Sequence, residues 1–127
     1  MNMITEKDIK LYQEIFNKLE DLAEEILSWT ISNYPKLVNF GGYSTFENFI
    51  IESDSLSINY YDYGYDLYDS GVLEIPLKEI YNNSWKEYLL RKEEERLKNI
   101  AEQLKRKEIN KKEQELKLLK ELKEKYD

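Results

Sequence analysis

Residues 49–62, FIIESDSLSINYYD, decide the fold. Apolar and polar side chains alternate on both sides of a short polar break, the period of two that places successive residues on opposite faces of a strand. With Asp54-Ser55 as the turn, Phe49 faces Tyr60, Ile51 faces Ile58 and Ser53 faces Leu56. This hairpin has one apolar face and an opposite face of Glu52, Ser57, Asn59 and Tyr61. Beyond the loop DYGYDLYDSG, a third strand over Val72 to Leu77 turns Leu73, Ile75 and Leu77 inward. Pro76 has no N–H for a ladder, so this strand belongs at an edge.

Helices flank the meander. On the N-terminal side, Ile9, Tyr12, Phe16, Leu19, Ala23 and Ile26 recur at helical spacing, predicting one amphipathic helix from Glu6 to Ser32. Thr5 and Asp8 form a variant capping box at its start, and Asn33, Pro35 and Gly41-Gly42 end it. The apolar stripe is wide, which predicts burial against more than one neighbour. On the C-terminal side, a helix begins near Leu77 or Lys78, and Ile80, Tyr81, Trp85, Leu89 and Leu90 close over the sheet. The predicted class is α+β: an N-terminal helix, a three-stranded antiparallel meander and a long C-terminal helical segment. Residues 1–95 form the compact domain and residues 96–127 a charged helical extension.

That extension carries heptad-like apolar positions, Leu97, Ile100 and Leu104, then Ile109, Leu116 and Leu119. The step of five from Leu104 to Ile109 fits neither heptad. Either one helix carries a discontinuity there, giving a coiled coil with a break, or the chain turns near Asn110 into a helical hairpin. These six residues are the expected oligomerisation surface, and the simplest oligomer is a homodimer.

Composition excludes much chemistry. The 127 residues contain no His and no Cys, which removes the commonest general base, metal ligand and sulfur nucleophile together. No phosphate-binding, dinucleotide-binding or serine-hydrolase motif occurs, so no catalytic residue, metal or cofactor is assigned. Asp62, Asp66 and Asp69 lie close together but lack the alternate spacing of a calcium-binding loop. No long apolar run and no apolar N-terminal stretch is present, so a cytoplasmic protein of a bacterial host cell is expected, with no membrane contact. Sixteen Lys against three Arg and twelve Ile against two Ala suggest an AT-rich genome, bacterial or phage.

The net charge of −7 is unevenly spread. Residues 41–77 hold seven acids and no base, whereas residues 78–127 hold twelve acids and fifteen bases. A Tyr cluster in the anionic third could stack on bases, but stacking binders also need a positive groove, so direct nucleic-acid binding is not expected. The expected contact surface for a basic protein partner is Glu52, Tyr61, Asp62, Tyr63, Tyr65, Asp66, Tyr68, Asp69 and Glu74.

Over residues 1–100, the order of helix, meander and closing helices resembles small phage-encoded inhibitors of the anti-CRISPR type. The stretch SINYYDYGYDLYDSGVLEIPLKEI is similar in style to phage proteins. The resemblance implies a binder that occupies the basic nucleic-acid channel of a nuclease or CRISPR effector. The sequence therefore points to an acidic protein-binding inhibitor of a nucleic-acid-handling defence enzyme. The alternatives are a helix-mediated homo-oligomeric scaffold and a sponge for a small nucleotide signal.

Overall fold

The computed structural model describes residues 2–64 and 69–126. It is an α+β fold: helix α1 (Glu6–Asn33), two single 3₁₀ turns (Pro35–Leu37 and Gly41–Tyr43), strands β1 (Ser44–Glu52), β2 (Ser55–Asp62) and β3 (Ser70–Pro76), a short helix α2 (Leu77–Tyr81) and helix α3 (Trp85–Tyr126). By contacts the chain divides into a head, Met1–Arg91, and a tail, Lys92–Asp127.

In the head, α1 starts at the predicted capping box. The Asp8 N–H donates to Thr5 Oγ1 at 3.2 Å, and the Thr5 N–H donates to Asp8 Oδ2 at 3.0 Å. Donation from the Thr5 backbone N–H, and after it the Thr5 side chain, favours the ionised carboxyl and holds Asp8 below the usual carboxylate range. The helix closes with the Tyr34 N–H on the Thr30 carbonyl at 2.7 Å, just before Pro35. Only the second half of α1 is buried, through Ala23, Ile26, Leu27 and Thr30, whose hydroxyl is satisfied by the Ile26 carbonyl at 2.7 Å. The expected burial of the whole stripe is corrected: Ile9, Tyr12 and Ile15 are exposed, Tyr12 at 64%. Length explains it. Twenty-eight helical residues span about 42 Å at about 1.5 Å each, while strands of seven to nine residues reach at most about 30 Å at about 3.3 Å each.

The sheet is antiparallel in the order β1-β2-β3, with Pro76 at the end of an edge strand as expected. The expected register is off by two: Phe49 pairs with Ile58, Ile51 with Leu56 and Glu52 with Ser55. The turn residues are therefore Ser53-Asp54, with Ser53 at a φ of 50°, a left-handed conformation that short polar side chains accept more readily than bulky ones. A shift of two leaves each side chain on its own face, so the predicted core survives the error except at Ile51. A bulge between Phe46 and Asn48 lets Phe46 pair with Tyr60 although it lies three residues from Phe49.

Leu56, Ile58, Tyr60, Leu73 and Ile75 form the buried sheet face against Ala23, Ile26 and Leu27, with Val38, Trp85 and Leu89 completing the core. Phe49 is half-buried against Phe16, ring centroids 5.1 Å apart, while Ile51 stays 47% exposed near the hairpin end. Tyr60 is a core residue whose hydroxyl accepts the Asn39 N–H at 3.0 Å. Gly71 lies under its ring, where a Cβ would come within 2.5 Å of Tyr60 Cζ.

The predicted helix from Lys78 is interrupted at Asn82–Ser84, where Asn83 takes a φ of 52°. The nearly buried Glu79 carboxylate fastens the break: it accepts the Ser84 hydroxyl and, at 3.0 Å, Arg91 Nη2. Trp85 then packs edge-on to Trp29 at 5.4 Å. The tail is helical throughout its described length, so of the two alternatives near Asn110 the single helix holds and the turn into a helical hairpin does not. Its tightest ion pair is Arg96 Nη2 to Glu93 Oε1 at 2.6 Å, which holds the Glu93 carboxyl below its ordinary range.

Candidate functional site

Pairing places direct partners of a β-ladder on one face, so the outer surface of the sheet can be read as rows. Ile50, Ser57 and Glu74 make one row, Asn48, Asn59 and Val72 the next, and Thr45, Tyr61 and Ser70 a third. Glu52 ends the face beside Ser55 and Pro76. An Asn59 Nδ2 to Asn48 Oδ1 bond of 2.7 Å crosses the middle row. The outer face is thus mostly Ser, Thr and Asn, with Glu52 and Glu74 exposed at its hairpin end and Tyr61 half-buried towards the other.

At that other end the chain builds a small clamp. The Asp62 N–H donates to the Asp69 carbonyl at 2.9 Å, Asp62 Oδ1 accepts the Gly64 N–H at 2.8 Å, and the Tyr63 N–H donates to the Tyr43 carbonyl at 3.1 Å. Gly64 sits against the Tyr43 ring, 2.8 Å from where its Cβ would be. Asp62 is only 8% exposed and paired with Ser44 across the ladder. Its expected place in an exposed loop is corrected: the alternation that buries Tyr60 also turns Asp62 inward, and its carboxylate is spent on the loop backbone. Tyr63 and Asp69 are exposed. Tyr65, Asp66 and Tyr68 lie outside the described residues.

Of the nine expected contact residues, Glu52 and Glu74 share the outer face with Tyr61, Tyr63 and Asp69 flank the clamp, and Asp62 holds it together. Two further acids missed by that reading, Glu47 and Asp54, are also exposed on the head. Glu47 stands at the bulge, a position that the observed register assigns and alternation alone does not, and Asp54 keeps its expected place in the turn. Across its full length the head holds 16 acids against 7 bases, a net charge of −9.

The six expected oligomerisation residues are all exposed on α3. At about 100° per residue, Leu97, Ile100 and Leu104 fall on one side of the helix, Leu119 borders it, and Ile109 and Leu116 lie about 100–120° away. Leu118, Leu122 and Tyr126 join that side; a strict seven-residue count from Leu97 and Leu104 reaches Leu118, but the companion count from Ile100 misses Leu122 by one because a straight helix drifts against it.

Among the described residues, no group of three acidic side chains is placed to hold a metal ion, and no helix is long and apolar enough to cross a membrane. Surface grooves run beside Glu6, Lys7, Lys10, Leu11 and Glu14 on α1, and beside Asp54, Pro76, Leu77, Lys78 and Tyr81 below the hairpin turn. Compared with known proteins, the chain matches no family model, no curated protein and no solved structure.

Proposed function

We propose that this chain is a non-catalytic, acidic binding protein that occupies the basic nucleic-acid groove of a bacterial defence enzyme in the host cytoplasm. One observation supports this reading above others: residues 41–77, which include all three strands, hold no Lys or Arg, and Glu47, Glu52, Asp54, Asp69 and Glu74 among them are exposed. A basic groove presents Lys and Arg at the spacing of phosphates, about 1.7 Å of duplex axis per charge, and clustered carboxylates compete for those side chains. The same charge speeds encounter with a positive partner and repels nucleic acid. Exposed Tyr63 and half-buried Tyr61 add contact area with little rotamer entropy to lose.

The test replaces Glu47, Glu52, Asp69 and Glu74 by Lys together, sparing Asp62 because it organises the loop. Both forms serve as bait in an extract of a bacterial host, and duplex DNA then competes for the protein recovered. A DNA-binding protein held by the natural chain, released by DNA and lost with the reversed chain is the expected result. Equal recovery by both baits, or simultaneous binding of DNA and chain, would refute the proposal.

A further inference from the structure

We infer that the tail of α3 pairs antiparallel with the tail of a second copy of this chain. Between Lys92 and Tyr126 the helix is continuous, and its nine large apolar side chains are all exposed, six of them being Leu97, Ile100, Leu104, Leu118, Leu122 and Tyr126. At about 100° per residue these six fall within an arc of about 80°. Their stripe is broken midway by Glu108, Lys111 and Glu115, which lie in the same arc. Nine positions from 97 to 126 thus repeat about every 3.6 residues, the period of a nearly straight helix, so two copies can run side by side with little supercoiling.

The order along the stripe selects the occupant. It is self-complementary about a point between Ile109 and Asn110. Reversing one copy about that point sets Leu97 opposite Leu122 and Glu108 opposite Lys111, while Ile100 meets Leu119 and Leu118 meets Ala101 at the border of the stripe and Tyr126 reaches Glu93, each pairing occurring twice as a two-fold axis requires. Leu104 then meets the methylene stem of Glu115. A parallel pair in register would instead set Glu108 on Glu108, Lys111 on Lys111 and Glu115 on Glu115. Like charges in direct opposition disfavour it. The antiparallel pair separates the two Lys92 residues by about 50 Å along the axis, at about 1.5 Å per residue. It links two acidic heads, which raises avidity for a partner with two basic sites whatever each head binds.

Because the chain has no Cys, Glu124→Cys gives a single labelling site on the full-length protein, on the side of the helix away from the stripe. Spin labels there are expected about 50 Å apart in the antiparallel pair, from 29 residues at about 1.5 Å along the axis combined at right angles with the width of two helices, about 20 Å. A separation under about 25 Å, or no dipolar coupling at concentrations where sedimentation reports the expected dimer, would overturn the inference; so would a monomer. Lys111→Glu replaces both opposed pairs by like charges and is expected to weaken the dimer about tenfold at low salt. Adding Glu108→Lys restores opposition with reversed signs and should recover most of that loss. An unchanged dissociation constant for Lys111→Glu would overturn the register.

Discussion

At the residue scale, Tyr60 shows how a tyrosine on the apolar face of a strand becomes part of the core. Its ring fills the space above Gly71, packs edge-on to Phe40 at 5.9 Å, and its hydroxyl satisfies the backbone of Asn39. Tyr60→Phe keeps the ring and removes only the acceptor, so a loss of about 1 kcal/mol in unfolding free energy is expected by denaturant titration. Gly71→Ala should cost more, since a methyl group must displace the ring in a close-packed interior. If Gly71→Ala were the milder of the two, the ring would not sit over that glycine. Asp62 carries the complementary lesson: a residue in an acidic run has its carboxylate turned to its own backbone.

At the element scale, the join between α2 and α3 rests on one carboxylate. Glu79 accepts from Ser84 on the intervening turn and from Arg91 almost two turns into α3. Glu79→Ala leaves a part-buried hydroxyl and a guanidinium without that partner, and is expected to destabilise the head by about 2 kcal/mol. Thermal unfolding followed by tryptophan fluorescence suits the measurement, because Trp85 sits directly after the turn and against Trp29. A change within about 0.5 kcal/mol, the range of ordinary surface substitutions, would mean that Trp85 and Leu89 alone hold α3 to the sheet.

At the scale of the whole molecule, charge and burial divide at the same place. Every buried apolar residue of the core lies at or before Leu89, and the tail's described side chains are exposed apart from the partly covered Glu93 and Arg96. A chain ending at Arg91 is therefore expected to keep the cooperative unfolding transition of the head, within about 1 kcal/mol, since interior burial supplies most folding free energy. Loss of that transition on truncation would show that the tail contributes to the head's stability.

The sequence by itself determined which residues form elements and which faces are apolar. Period-two alternation and helical spacing act through neighbours a few residues apart, so α1, its capping box, the three strands and the edge position of Pro76 were legible in the residues that form them. The hairpin register, the bulge at Glu47 and the extension of β2 as far as Asp62 were not. Each depends on where one strand meets another, and a register two residues away preserves the same pattern of faces while changing every cross-strand pair. Only the tertiary structure also decided how much of α1 is covered, because the answer compares the length of a helix with that of a sheet packed against it. Its outer half carries the same apolar spacing as its inner half, yet it stays exposed because the strands end first.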